Sequence, residues 1–307
     1  MHRRPLRPAG RLRYRRAVAD RSPADPLVPL SHLAPEEKGK RANVFGEVAS
    51  TYERFRPGPP AAAVDWLLPT HLARVVDLGA GTGALTRLLV GRADEVVAVE
   101  PDDRMRAVLT AEVPTARAVS GRGEAMPLPD RCADAVLASS SWHWMDPIPA
   151  LHEVGRVLVP GGVLGAVWSG PDPEGPFIAQ AQALLAGGAA GQGTPAPADD
   201  QGDQLPGDLT GLILGDALRP MSILEIPPGV PFDQPDHQVF TWDTALDADE
   251  LIGLLGTLSW VITMAAEDRD RLFAEARRLL RDLLGIEGEV TVDVAFRAEA
   301  WRSRRTE

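Results

Sequence analysis

Apolar and polar residues along this chain alternate with two different periods, and the switch from one period to the other repeats. The run Val75, Val76, Asp77, Leu78 passes directly into Gly79, Gly81 and Gly83, and the next segment sets Leu85, Leu88 and Leu89 at helical spacing. That order predicts a buried strand, a tight turn and a helix. The apolar run that ends at Glu100 predicts a second strand, stopped by Pro101, and Ala118 with Val119 a short third. ADAVLASSSWHWMD carries the fourth, with Cys132 packing beside it, and Val163 to Trp168 the fifth. Before that fifth strand, Leu151, Val154 and Leu158 share one face of a helix stopped by Pro160 and two glycines, with Glu153 and Arg156 pairing on its surface. Strands and helices in this alternation predict an α/β fold of three layers, a doubly wound and mostly parallel sheet between helices.

The flanks extend the pattern. Phe45, Val48, Ala49 and Tyr52 lie at helical spacing, RPGPP breaks that helix, and AAAVDWLLP starts another. From Gly187 to Gly229 the chain is mainly Gly, Pro, Ala and Asp, with hardly any large apolar residue before Leu205. A flexible excursion is expected over 187–229, either a cover for a substrate or a tolerated surface insertion. His237–Trp242 then predicts a sixth strand, DADELIGLLGTL a helix capped by Asp247, and EDRDRLFAEARRLLRDLLG an amphipathic helix closed by Gly285. Val290, Val292, Val294 and Phe296 alternate as a final strand would.

Charge divides the chain unevenly. Residues 1–41 hold nine Arg and two Lys against two Asp and two Glu, a net of +7 in a chain whose total is -11, which leaves -18 for the rest. The segment is rich in Arg and Pro without apolar periodicity, so a disordered basic arm is expected at 1–41 and one domain over 42–307. No apolar region follows the arginines as a secretory signal requires. An Arg-rich arm can bind phosphates without sequence preference, but the acidic body opposes a nucleic-acid partner. No apolar run approaches the roughly 18 residues of a membrane span. The single cysteine excludes an internal disulfide framework and suits a reducing cytosol, and His and Cys are too scattered for a metal site. A cytoplasmic monomer or homodimer is the expectation.

The glycine turn is where chemistry is expected. Gly79, Gly81 and Gly83 remove side chains where a ligand can approach the backbone. Gly79, Gly81 and Ala84 fit the G-x-G-x-x-A turn of a dinucleotide site, in which helix amides meet a pyrophosphate. Asp77, two residues before the turn, argues for a different ligand. A fixed carboxylate repels a diphosphate and attracts an ammonium and a sulfonium, the two charges of S-adenosylmethionine. Glu100 stands 23 positions beyond Asp77, at the end of the second strand, where an acid can accept hydrogen bonds from both hydroxyls of a ribose.

DLGAGTG, then VEPDDRM, then GEAMPLPDRCADAVLASSSWHWMD and EVGRVLVPGGVLGAVW resemble the class I S-adenosylmethionine-dependent methyltransferases, in particular the small-molecule branch related to trans-aconitate methyltransferase. The likeness covers about residues 43–170 in motif detail and the C-terminal part more loosely. It implies a Rossmann-like sheet of seven strands with a C-terminal antiparallel hairpin. It also implies a cofactor site of Asp77, Gly79, Ala80, Gly81, Gly83, Glu100, Pro101, Met105 and Ser139, with Gly123, Glu124 and Ala125 near the adenine. The first helix is implied to fold over the cofactor, bringing Tyr52 and Arg56 to the bound ligands; packing through Phe45 and Tyr52 alone is the other reading.

Ligands of open α/β sheets bind beyond the carboxyl ends of the strands, so Ser141, Trp142, His143 and Trp144 are expected at the methyl-transfer centre. Histidine has an unperturbed pKa near neutrality, so His143 is the candidate general base; a packing or hydrogen-bonding role is the alternative. The expected activity is methyl transfer to a nucleophilic atom, oxygen foremost with nitrogen or carbon as alternatives, of a small-molecule acceptor. A nicotinamide-dependent oxidoreductase and a non-catalytic adenosylmethionine-binding module remain open on the sequence alone.

Overall fold

The computed structural model describes residues 55, 58–68, 72–172, 174–180, 223–257, 259–262 and 264–306. The expected arm at 1–41, Tyr52, Arg56 and most of the 187–229 excursion lie outside the described residues.

Helix α1 (Ala61–Leu67) precedes β1 (Arg74–Leu78), α2 (Ala84–Leu89), β2 (Glu95–Val99), α3 (Asp103–Glu112), β3 (Arg117–Val119) and β4 (Ala133–Ser139). A 3₁₀ turn (Trp142–Trp144) and α4 (Pro147–Val157) lead to β5 (Leu158–Pro171). The chain ends with β6 (Asp236–Leu246), α5 (Ala248–Gly256), α6 (Ser259–Ile262), α7 (Ala266–Leu284) and β7 (Val292–Arg304). One sheet of seven strands takes the order β3-β2-β1-β4-β5-β7-β6. Strands β1 to β5 run parallel to one another, while β7 runs antiparallel to both β5 and β6. The order reverses between β1 and β4, which makes their carboxyl ends the topological switch point.

Interior strands of a parallel sheet are covered on both faces, so their sequences read as unbroken apolar runs. Side chains still alternate between the faces. Val76 and Leu78 join Val97, Val99, Val136, Trp142 and Trp168 in one core. Val75 packs on the other face with Val64 and Leu67 of α1 and with Leu85 and Leu89 of α2. Asp77 shares the parity of Val75, and its carboxylate accordingly meets α2.

The closing strands form the expected antiparallel pair, but no hairpin turn joins them: helices α5, α6 and α7 lie between β6 and β7. Both β5 and β6 outrun the stretches predicted from apolar runs, because β7 pairs along them from Val163 to Pro171 and from Asp236 to Leu246. The predicted caps hold. Asp247 accepts the Glu250 amide while the Glu250 side chain accepts the Asp247 amide, and Gly285 ends α7 in the left-handed region. Part of the expected excursion is core: Leu224 and Ile226 are buried against the β4–β5 face. Their alternation with exposed Ile223 and Glu225 is the local reason.

Among the described residues no helix is long and apolar enough to cross a membrane.

Candidate functional site

The switch point is built by contact between the loops that follow β1 and β4. Gly79 sits at φ +68, and a Cβ placed on it would lie 2.6 Å from Ser141 Cβ and 2.8 Å from Ser141 Oγ. The Ser141 hydroxyl donates to the Leu78 carbonyl at 2.6 Å, locking the end of β1 to the end of β4. The Val99 carbonyl accepts the Gly79 and Ala80 amides at 2.8 and 3.2 Å, which fixes the turn to β2 as well. Gly83, at φ +98, lets α2 approach Leu109 and Val113 around α3. Gly81 is different: at φ +56, a Cβ on it would meet none of the described residues within 4 Å. Of the three glycines, two make room for described side chains and one does not.

Asp77, two residues before the turn, has 1% of its surface exposed. Its Oδ2 accepts the Thr86 hydroxyl at 2.6 Å, and its Oδ1, fully buried, has no hydrogen-bond partner among the described residues. Desolvation dominates the carboxyl's titration: burial raises it from an ordinary 3.8 to about 7, against the lowering effect of Thr86 and with a further rise from the nearby charge of Glu100. A buried acid with one unpaired oxygen is costly to keep ionised unless a cation arrives.

Glu100, 7% exposed, is held by both oxygens. Oε2 accepts the Gly81 amide and Oε1 the Asp102 amide, each at 2.9 Å. Burial raises this carboxyl too, and the two amides offset part of that shift. Each oxygen has a second lone pair with which to accept from a ligand hydroxyl. Asp102 caps α3 by accepting the Arg104 and Met105 amides, which buries Met105 next to the loop and leaves Pro101 exposed.

The loop after β3 approaches from the far side. Arg122 and Ala125 pair through backbone hydrogen bonds around Gly123 and Glu124. The Met145 side chain fills the place where Gly123 would carry a Cβ, and its Cε would stand 3.5 Å from a Cβ on Gly79. Met145 thus bridges the glycine turn and this loop. Glu124 accepts the Asp146 amide at 2.7 Å. Glu153 and Arg156 do pair at 2.7 Å, but not as an isolated surface contact. Glu153 also accepts the Met126 amide, and Arg156 donates to the Leu128 carbonyl and to Asp130, so the pair clamps the base of the loop to α4.

Strand β4 ends at Ser139, partly buried, and the 3₁₀ turn follows. Trp142, expected beside an acceptor, is instead packed into the main core at 5% exposure. His143 and Trp144 are partly buried with ring centroids 5.5 Å apart. His143 Nδ1 accepts the Trp168 indole N–H at 3.0 Å.

The model of a methyltransferase domain matches residues 76–166, the span from the glycine turn to β5. An uncharacterised methyltransferase of Mycobacterium tuberculosis is 37% identical over 236 residues, 77% of this chain and 85% of that protein. The chain belongs to the class I S-adenosylmethionine-dependent methyltransferases. A malonyl-[acyl-carrier protein] O-methyltransferase of Pectobacterium atrosepticum is 32% identical over 127 residues, 40% of this chain and 50% of that protein. Among solved structures, a proposed type II methyltransferase from Anaeromyxobacter dehalogenans shares the fold with a TM-score of 0.52 at 23% identity, covering 81% of this chain and 98% of that one.

For this methyltransferase, the geometry explains why a diphosphate would fit poorly in the same turn. The Gly81 amide that a phosphate would seek is committed to Glu100, and the charge acting on Asp77 is a second carboxylate. Residues that sequence reasoning did not single out complete the site: Thr86, which holds Asp77; Met145, which bridges two loops; and Trp168, which holds His143. Away from these residues, the Phe55 ring fills the place where Gly253 of α5 would carry a Cβ, and Gly58, three residues later, passes Ala84 at the start of α2. Thr86 was readable one helical turn into α2, facing back toward β1; the others depend on contacts between distant segments.

Proposed function

We propose that this methyltransferase binds S-adenosylmethionine across the carboxyl ends of β1 and β2 and transfers its methyl to an oxygen atom of a small-molecule acceptor. The observation that carries the reading is the buried Oδ1 of Asp77, unpartnered among the described residues, in the strand that leads into the Gly81 turn, with nearby Glu100 oriented by the Gly81 and Asp102 amides. Such a pair of carboxylates suits a ligand with a cationic amino-acid portion and a ribose. Asp77 would meet the ammonium, directly or through water, and Glu100 the ribose hydroxyls. Ala80, Gly81, Pro101 and Met105 would line the ribose side, and Gly123, Glu124, Ala125 and Ser139 the adenine. When bound, the cofactor supplies an electrophilic methyl whose departure returns an electron pair to sulfur.

The acceptor would enter beside Tyr52, Arg56, Ser141, His143 and Trp144. The chain's own contribution is to hold nucleophile and methyl in line, and orientation of that kind is worth about 7 to 11 kcal/mol. Oxygen is favoured as the acceptor atom by the O-methyltransferase among the relatives. Calorimetry tests the cofactor: S-adenosylhomocysteine should bind and NAD should not, and the reverse result would sink the reading. Incubation with labelled S-adenosylmethionine and extract of the source organism, followed by mass spectrometry, identifies the acceptor.

A further inference from the structure

Trp168 follows Val167, which pairs with Ser139 at the end of β4, so β5 delivers its indole to the 3₁₀ turn that carries His143. The indole is 5% exposed and belongs to the main core, which fixes its rotamer. Its Nε1–H donates to His143 Nδ1 at 3.0 Å. An indole nitrogen can only donate, so the imidazole nitrogen that receives it carries no hydrogen. In the neutral ring the hydrogen is therefore on Nε2.

We propose that Trp168 is a positioning residue that holds His143 as the Nε2–H tautomer, so that His143 serves the acceptor as a hydrogen-bond donor and takes no proton from it. The proposal rests on the methyltransferase reading above and replaces the general-base role expected from sequence. The only nitrogen of that tautomer able to take a proton is Nδ1, and a proton there would face the indole N–H. A donor in this place favours an acceptor that presents a lone pair to His143, and it fixes which oxygen of that acceptor is oriented toward the methyl.

The test reads the tautomer directly. Long-range proton–nitrogen correlation spectra of ¹⁵N-histidine protein, saturated with S-adenosylhomocysteine and assigned against His143→Gln, show which ring nitrogen carries hydrogen. The wild type should show an unprotonated Nδ1 and a protonated Nε2. Trp168→Phe, which keeps an aromatic ring and removes the donor, should populate both tautomers. Hydrogen on Nδ1 in the wild type would overturn the proposal without any variant, and so would an unchanged pattern in Trp168→Phe. Because S-adenosylhomocysteine binding is measured in the same sample, a protein that binds it with the wrong tautomer loses this inference alone. A protein that fails to bind it loses the reading beneath. On the acceptor identified from extract, Trp168→Phe should raise KM with kcat within a few-fold of wild type, whereas a kcat loss of about 100-fold or more in His143→Gln with KM unchanged would restore the base.

Discussion

Thr86 donates its hydroxyl to Asp77 across nine residues of sequence, binding the first turn of α2 to the last turn of β1. The bond uses one carboxylate oxygen and leaves the other buried and unmet. A residue in this position is costly to the empty protein and useful to a cation-binding one.

Removal of the hydroxyl tests the first half of that statement. Thr86→Val keeps the shape and removes the hydroxyl that Asp77 Oδ2 accepts, so stability in urea should fall by about 1 to 3 kcal/mol. Thr86→Ser should retain most of it. Equal stability of Thr86→Val and wild type would show that the bond contributes nothing.

Titration tests the second half. Between the ordinary 3.8 and the raised value of about 7, the folded protein holds a proton on Asp77 that the unfolded chain has released. The folded state binding more protons, stability must fall as pH rises through that window and level off above it. Asp77→Asn lacks the term. Its stability relative to wild type should therefore grow by roughly 2 to 3 kcal/mol between about pH 5 and pH 8. A difference that stays constant with pH would refute the burial argument. The same linkage makes wild-type affinity for S-adenosylhomocysteine tighten as pH rises toward 7, since the cation needs the ionised acid.

Glu100 should matter to binding more than its neighbours. Glu100→Ala removes both the proposed ribose contact and the partner that holds the Gly81 amide. Affinity for S-adenosylhomocysteine should weaken by roughly 1.5 to 3 kcal/mol, or about 10- to 150-fold. Calorimetry giving an unchanged Kd would take Glu100 out of the site.

How far the site could be read in advance depended on whether a signal was local. Strand, glycine turn and acid lie close together in sequence, and hydrophobic period with spacing located Asp77, Gly81 and Glu100. Caps are equally local, and Asp247 with Glu250 and Gly285 were legible for that reason. The packing of Trp142 was not: its place after β4 pointed to the methyl-transfer centre, and its membership of the main core depends on residues distant in sequence. The same holds for Leu224 and Ile226, two apolar residues after a long polar stretch, whose burial depends on a core assembled from β4, β5 and α4. His143 shows the limit most plainly, because its protonation is set by a tryptophan 25 residues away.

The glycines separate ligand space from protein space, and a pair of substitutions should reveal the boundary. Both Gly79 and Gly81 occupy the left-handed region, where an alanine costs roughly 1 to 2 kcal/mol. Only at Gly79 does the new Cβ also strike protein, 2.6 Å from Ser141 Cβ, so the Ser141 bond to the Leu78 carbonyl must give way. Gly79→Ala should thus lose more stability than Gly81→Ala, by about the 1 to 3 kcal/mol of overpacking. At Gly81 the order of effects should invert. Its methyl would enter space that none of the described residues fills, so unfolding should register little beyond the backbone strain. Affinity for S-adenosylhomocysteine should nevertheless fall at least tenfold if the cofactor occupies that space. Thermal melts and calorimetry on the two variants make the comparison. A Gly81→Ala protein that binds as tightly as wild type would place the cofactor elsewhere, and with it the roles proposed for Asp77 and Glu100.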